Sequence, residues 1–348
     1  MSRKSKRSRS RRWLRWTLIT LVTLIALLAA AVTILAATAP SPGPANGWDQ
    51  AAPLMEARGE AAGAVLTVDG REQLAAIGGL KGVLVSAADS VEFYDPGTDR
   101  WRHGPPLPER RHHLAAAGVD GDLFVTGGAP SASDWTPRRE VWRLKEGTST
   151  WEPVAALPEG RHGHRLLVID KVLYLVGGSG GAAVLRLNSL TPDEGWSRGA
   201  DLPRPRDHLG AVVINGEIWA IGGRDGAGIV SRVDIYDPHR DHWRTGPSLP
   251  EPTSAAAVGF VDGWLVVSGG EDPRVLGGVI DRHWRLRPGE GRWEPAPRAP
   301  LAVHGAADGV VEGRLLVAGG ASRHSLLSPF TWTAVTQSLA DPARRSQR

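Results

Sequence analysis

Six short apolar runs in this 348-residue chain end in paired glycines: AAIGG, FVTGG, YLVGG, WAIGG, VVSGG and LVAGG. The pairs begin at Gly78, Gly127, Gly177, Gly222, Gly269 and Gly319, at intervals of 49, 50, 45, 47 and 50 residues. A repeat of that length is one supersecondary unit that cannot bury its own apolar face, so the units must pack on one another. Shortly before each pair stands a turn signal: VDG at Val68, Val119 and Val261, IDK at Ile169, ING at Ile214 and VEG at Val311. Asp-Gly and Asn-Gly between apolar segments favour the primed turns of tight hairpins, so each unit is predicted to open with two antiparallel strands.

Tryptophan supplies a third register, at Trp48, Trp101, Trp151, Trp196, Trp243 and Trp293. This series begins before the first glycine pair and has no in-phase member after the last. The stretch GWDQAAPLMEARGE, from Gly47 to Glu60, aligns with RWRHGPPLPERRHH, TWEPVAALPEGRHG and GWSRGADLPRPRDH, each of which closes one unit and starts the next. The unit that it closes is then the one containing Gly319 and Gly320, at the far end of the chain. A ring in which an N-terminal strand completes the last sheet pairs both edges that an open array would leave bare. The predicted fold is all-β: a six-bladed β-propeller over residues 48–340, closed by that strand, with 341–348 as a disordered basic tail.

In two units the glycine pair is followed by a tyrosine and then, after six residues, by the tryptophan: Gly78-Gly79, Tyr94 and Trp101, then Gly222-Gly223, Tyr236 and Trp243. Leu144 and Leu286 take the tyrosine's place before Trp151 and Trp293, and the unit around Trp196 departs further, so its third strand is the least defined. On these residues the chain resembles the kelch-repeat propellers, to which the central domain of galactose oxidase also belongs. The resemblance covers about residues 48–335 and implies a fold more than a function. It implies that the glycine pairs serve close backbone approach and that the tryptophans fill the layers between blades.

Ahead of the repeats, Thr17–Ala39 is a run of 23 residues without a charge, preceded within residues 1–16 by eight basic residues and no acidic one. As a helix rising ~1.5 Å per residue it spans roughly 34 Å, enough for a hydrocarbon core of about 30 Å. It exceeds the core of a cleaved signal, and Pro40 sits where the mature chain would start, so it is predicted to be a retained signal anchor. The basic residues then stay in the cytoplasm and send the propeller outside on a stiff Pro/Gly linker, residues 40–47. Without those eight charges the formal net charge of +4 becomes −4, which gives no support for a nucleic-acid partner. The chain has no cysteine, which removes thiolate metal sites and thiol nucleophiles. Only five of its 41 basic residues are lysine, a bias that points to a GC-rich bacterial genome.

Ten residues after each of the first four tryptophans stands an arginine: Arg58, Arg111, Arg161 and Arg206, replaced in the last two units by Thr253 and Val303. Histidines follow closely at His112, His113, His162, His164, His208 and His304. In a four-stranded blade these positions start the innermost strand, on the face where the glycine pair ends its neighbour. They are therefore expected to ring the mouth of the central channel, with Asp134, Asp225, Glu271 and Asp272 on the surrounding loops. Guanidinium forks there would take carboxylates or other planar anions. The competing reading is that a residue repeated from unit to unit serves the unit itself. Zinc at the histidines is disfavoured, because they are spread over several blades without the close spacing of a metal motif.

The chain is thus expected to be a membrane-tethered extracytoplasmic binding module for an envelope protein, peptide or glycan, without metal or cofactor and not an enzyme. The alternative is a sugar-active enzyme resembling the exported six-bladed sialic acid mutarotases, with Glu271 or Asp272 as acid/base and Arg111 or Arg161 as anion clamp. Copper-radical oxidation of the galactose oxidase type is excluded, since it needs a Cys-Tyr crosslink. The sequence contains no Gly-rich phosphate loop and no nucleophile elbow.

Overall fold

The computed structural model describes residues 3–43, 47–275 and 278–339, and it divides into two units at Pro40, each described by itself. The first is one helix, α1, Arg3–Ala37. It takes in the basic segment as well as the apolar run, because lysine and arginine are good helix formers and nothing breaks the helix before Pro40. Thr17, Thr20 and Thr33 turn their hydroxyls onto the carbonyls of Trp13, Trp16 and Ala29, each at 2.9 Å. Among the described residues no helix is long and apolar enough to cross a membrane. The predicted anchor finds no support there, and the predicted 341–348 tail lies outside the described residues.

The second unit is a ring of six four-stranded antiparallel sheets. Its innermost strands are Ala62–Val68, Ala115–Val119, His164–Ile169, Gly210–Ile214, Ala257–Val261 and Ala307–Val311, numbered here as blades one to six. Each inner strand contacts the next, and the last contacts the first. Two-residue turns join each inner strand to its neighbour, as in Val68↔Arg71 and Val311↔Arg314. Both turn residues adopt positive φ, for example Asp69 at 50° and Gly70 at 73°, which is the primed geometry expected of the VDG signals. The sixth sheet is completed by Trp48–Ala51, paired with Thr336–Leu339 from Trp48↔Leu339 to Ala51↔Thr336. The ring is therefore closed by the displaced N-terminal strand. In blade three the strand Ala183–Asn188 is fully formed, but its pairing with Ser197–Asp201 shifts register between Ala183 and Leu185. A 3-10 turn at Pro192–Glu194 lengthens the link and leaves Trp196 just outside the strand, hence its irregular sequence.

The core lies in six layers, each shared by two adjacent blades. Val125 and Trp142 of blade two pack with Ile77 and Phe93 of blade one, and Leu315 and Leu339 of blade six pack with Val266 of blade five. The tryptophan register ties each layer. The indole N–H of Trp101 donates to the carbonyl of Ala52 at 2.8 Å, Trp151 to Pro105 at 3.1 Å and Trp196 to Ala155 at 2.9 Å. Trp243 donates to Ala200 at 3.3 Å and Trp293 to Pro247 at 2.9 Å, and Trp48 closes the circle on Pro297 at 2.9 Å. The indole thus fills apolar space while its one donor reaches the preceding blade.

The glycine pairs make the tightest contact between blades. A Cβ on the first glycine would fall 2.4–2.8 Å from the carbonyl oxygen of the residue at the arginine position in the next blade. The N–H of the second glycine donates to that same oxygen, from Gly79 to Arg111 at 2.9 Å through Gly320 to Arg58 at 2.7 Å. Gly70 and Gly319 share a φ of +73°, but a Cβ meets nothing within 4 Å at Gly70 and meets Arg58 O at 2.7 Å at Gly319. Chemical denaturation of Gly70→Ala should show a loss of about 1 kcal/mol from backbone strain alone. Gly319→Ala should lose at least about 2 kcal/mol more, because the blades must separate to admit the methyl; equal losses would dismiss close approach as the glycine's purpose.

Candidate binding site at the channel mouth

The four repeated arginines lie inside the blades. Arg58, Arg111, Arg161 and Arg206 are 0–2% exposed. Arg58 donates to the carbonyls of Gly78 and Ser90 at 3.2 and 3.1 Å and pairs with the buried Glu92. Arg206 donates to the carbonyls of Gly222 and Ala220 at 2.8 and 3.1 Å and to buried Asp234 at 2.8 Å. Arg111 reaches Glu109 at 2.6 Å with its guanidinium over the Trp142 ring, and Arg161 bonds the carbonyl of Gly181. The carbonyl of each arginine receives the preceding blade's glycine N–H while its side chain binds its own blade. A guanidinium is the one side chain with enough donors to cap several strand-end carbonyls at once. These arginines therefore hold the start of each blade and do not present forks to the channel.

The mouth is built from the two positions that follow. One position after the arginine stand Gly59, His112, His162, Asp207, Ser254 and His304. They pair by backbone with the residue after each glycine pair, among them Asp207 with Arg224 and Ser254 with Glu271. Two positions after the arginine stand Glu60, His113, Gly163, His208, Ala255 and Gly305, all in the left-handed region with φ between 51° and 64°. Their backbones form a chain of hydrogen bonds around the channel: His113 N to Glu60 O at 3.0 Å, Gly163 to His113, His208 to Gly163 and Ala255 to His208 at 2.8 Å, and Gly305 to Ala255 at 3.0 Å.

The side chains of these rings converge. His113 Nε2 lies 3.2 Å from a Glu60 carboxylate oxygen, and its ring centroid lies 4.8 Å from that of His208. His208 Nδ1 is 2.8 Å from Asp207, which Arg224 Nε also binds at 2.6 Å. On the other side His324 Nε2 is 3.1 Å and His304 Nε2 3.6 Å from Glu271, with Ser254 donating to the same carboxylate at 3.2 Å. Trp135, 42% exposed, rests its ring 4.8 Å from His112 and 5.6 Å from His162. Burial holds His112, His113 and His162 below the ordinary imidazole value and so neutral. Burial would raise Glu271, but the His324 hydrogen bond and the nearby imidazoles outweigh it and bring the carboxyl down to about 2. The bond to Glu271 raises His324 in turn.

Below the rings the cavity, about 320 Å³, runs between the inner strands. It is crossed by Arg165 of blade three, which donates to Asp308 of the opposite blade six at 2.6 Å and to the carbonyls of Leu209 and Ala256 at 3.2 Å. The mouth is thus a cup with a charged floor. Of the predicted residues, His112, His113, His162, His208 and His304 meet there. His164 does not: it occupies the position of Leu114 and Leu209 in other blades and bonds Thr126 at 2.7 Å between blades two and three. Among the predicted loop acids Glu271 reaches the mouth, while Asp134 and Asp272 pair with Arg138 and Arg274 on their own loops and Asp225 pairs with Arg204 of the segment leading into blade four. Glu60, Asp207, Arg224, Trp135 and His324 were not anticipated. The repeat register contained the signal for the first three, since each falls in phase with a residue already selected or with the glycine pairs.

Replacing Arg58 by Ala leaves Glu92 buried without its partner and should cost roughly 3–5 kcal/mol, whereas Arg111→Ala, whose carboxylate partners are largely exposed, should cost less. Burial lowers His164 to about 3, so it is neutral in the fold and charged in the unfolded chain below its ordinary value of 6.5. Its contribution is fully present above that value and is lost as pH falls toward about 3. Between about pH 7.5 and pH 5 the native protein should lose about 2 kcal/mol more than His164→Leu, read from denaturant midpoints.

A family model described as the kelch motif matches residues 205–250, which run from the junction at Arg206 through blade four. Kelch-like protein 35 of Mus musculus is 29% identical over 192 residues, 53% of this chain and 31% of the relative. Kelch-like ECH-associated protein 1B of Danio rerio is 37% identical over 89 residues, 24% of this chain and 15% of the relative. The chain spans less than a third of the length of these curated relatives. Among solved structures, that of YjhT superimposes with a TM-score of 0.68 at 14% identity, over 83% of this chain and 96% of that one. With the six closed sheets and the glycine, tyrosine and tryptophan registers, these likenesses make the chain a kelch-repeat β-propeller.

Proposed function

We propose that this propeller is a binding module whose mouth takes an extracytoplasmic protein or peptide, held at the membrane by α1. The observation that carries the reading is the makeup of the cup. The arginines that would clamp a small anion are used inside the blades, while the exposed indole of Trp135 and the half-exposed Arg224 stand at the opening above buried neutral imidazoles and Glu271. An amphipathic aromatic with a polar surround is the usual chemistry of a protein-contact anchor. One of the relatives is named for its association with another protein, which favours a protein partner over a glycan. The anchor reading rests on the 23 uncharged residues of Thr17–Ala39 behind eight basic ones. A second reading, acid/base chemistry on an anionic sugar, draws on the Glu271–His324 pair.

Because the chain lacks cysteine, a single Ser133→Cys substitution on the exposed loop beside Trp135 places a unique thiol at the mouth and leaves the indole in place. In intact cells producing the full chain, a membrane-impermeant thiol crosslinker should join it to a discrete protein, and adding Arg224→Ala should remove that adduct. Failure to label the thiol in intact but not lysed cells would overturn the external location. Labelling without any adduct would shift the reading to a small ligand and call for turnover assays on Glu271→Gln.

A further inference from the structure

The chain of hydrogen bonds at His112 and His113 fixes which nitrogens carry protons. The carbonyl of Ser131 only accepts, so His112 Nε2, 2.9 Å away, donates to it, and His112 Nδ1 keeps its lone pair. His113 Nδ1, 2.6 Å from that lone pair, is then the donor, which leaves His113 Nε2 as a lone pair aimed at a Glu60 oxygen 3.2 Å away. On His208, Nδ1 donates to Asp207 at 2.8 Å. Its Nε2 accepts a long 3.4 Å contact from Arg224, a side chain that only donates, so this nitrogen is also a lone pair. Two imidazole lone pairs and a carboxylate thus face one another, their ligand atoms all within 4.8 Å. Facing acceptors repel unless a proton or a cation lies between them.

We propose that Glu60, His113 and His208 form a binding site for a single divalent transition-metal ion of the zinc class. Two imidazoles and one carboxylate are a ligand set of that class, with a fourth position left for water or a partner's donor. Each histidine gives its other nitrogen to a supporting acceptor, His112 or Asp207, which is how metal-ligating histidines are oriented. Ligands about 2.1 Å from a tetrahedral ion are about 3.4 Å apart, so the widest pair draws in by about 1.4 Å as the ion enters and displaces the long Arg224 contact. Glu60, His113 and His208 hold φ of 54°, 53° and 53°, and Ala255 of blade five 51°, so the ring sets the left-handed conformation at every junction, with glycine serving at Gly163 and Gly305. The three ligands are 53 and 95 residues apart in sequence and meet only because the ring brings three junctions together. Metal binding here does not depend on the proposed partner, since the ligands all come from this chain.

The full chain, stripped with chelator and passed through a desalting column after exposure to Zn²⁺ alone, should retain one equivalent. Co²⁺ in its place should give the visible absorption of a tetrahedral ion, and Mg²⁺ should not compete. His113→Gly and His208→Gly should abolish retention while keeping or raising thermal stability, because glycine relieves the left-handed strain and is already used at Gly163 and Gly305. Asp207→Asn should weaken affinity 10–100-fold through the misoriented imidazole, and His324→Ala should leave it unchanged. Absence of retained zinc in the native chain would overturn the proposal. So would loss on His324→Ala with His113→Gly still binding, which would place the ion at Glu271 and His304 instead.

Discussion

One contact, repeated around the ring, decides how close two blades can come. The second glycine of each pair gives its N–H to a carbonyl of the next blade, and the first leaves no room for a Cβ beside that oxygen. Everything else is spaced by it. The indoles of the tryptophan register can bridge from one sheet to the last because the sheets are held at that distance. The strand-end carbonyls are crowded enough that an arginine, with its five donors, becomes the economical cap.

That crowding also explains the mouth. Since the arginine position must serve the blade, the next two residues are the first free to carry chemistry. Their backbones are already committed to one another around the channel, so their side chains point inward from fixed stations. Specificity then comes from which side chain each blade supplies. Blades that contribute glycine or alanine make room for the neighbours that contribute glutamate or histidine. The lopsided cup, with Glu60, His113 and His208 in one group, Glu271 and His324 in another and His304 3.6 Å from both glutamates, results from six near-identical junctions filled differently.

The fold was legible because its signals are repeated and local. Paired glycines, two-residue turns and tryptophans each occur six times in register, and the offset of Trp48 alone locates the closing strand. Blade three was harder to read because Pro192–Glu194 inserts a turn that breaks the count. The site was half legible. Phase alone brought out five mouth histidines, yet it also selected His164, one residue further on, which has turned into the wall. The arginines shared the same phase, and a sequence cannot say whether a guanidinium points along the channel or back into its own sheet; the buried Glu92 and Asp234 that attract Arg58 and Arg206 lie 34 and 28 residues away. Lack of close spacing weighed against a metal, but spacing along the chain is a poor guide where a ring brings distant junctions together.

The closing strand sets a timetable for biosynthesis. Trp48 is made 291 residues before its partner Leu339, so the outer strand of the sixth sheet has no partner until nearly the whole propeller exists. At about 5–20 residues per second that interval is roughly 15–60 s. During it the first blade has no neighbour on one flank, and the carbonyl of Arg58 waits for the N–H of Gly320. The emergence of Thr336–Leu339 therefore converts a row of five sheets and an incomplete sixth into a ring. Only then do Glu60 and Gly305 face each other across the same junction, and only then does the cup acquire its final wall.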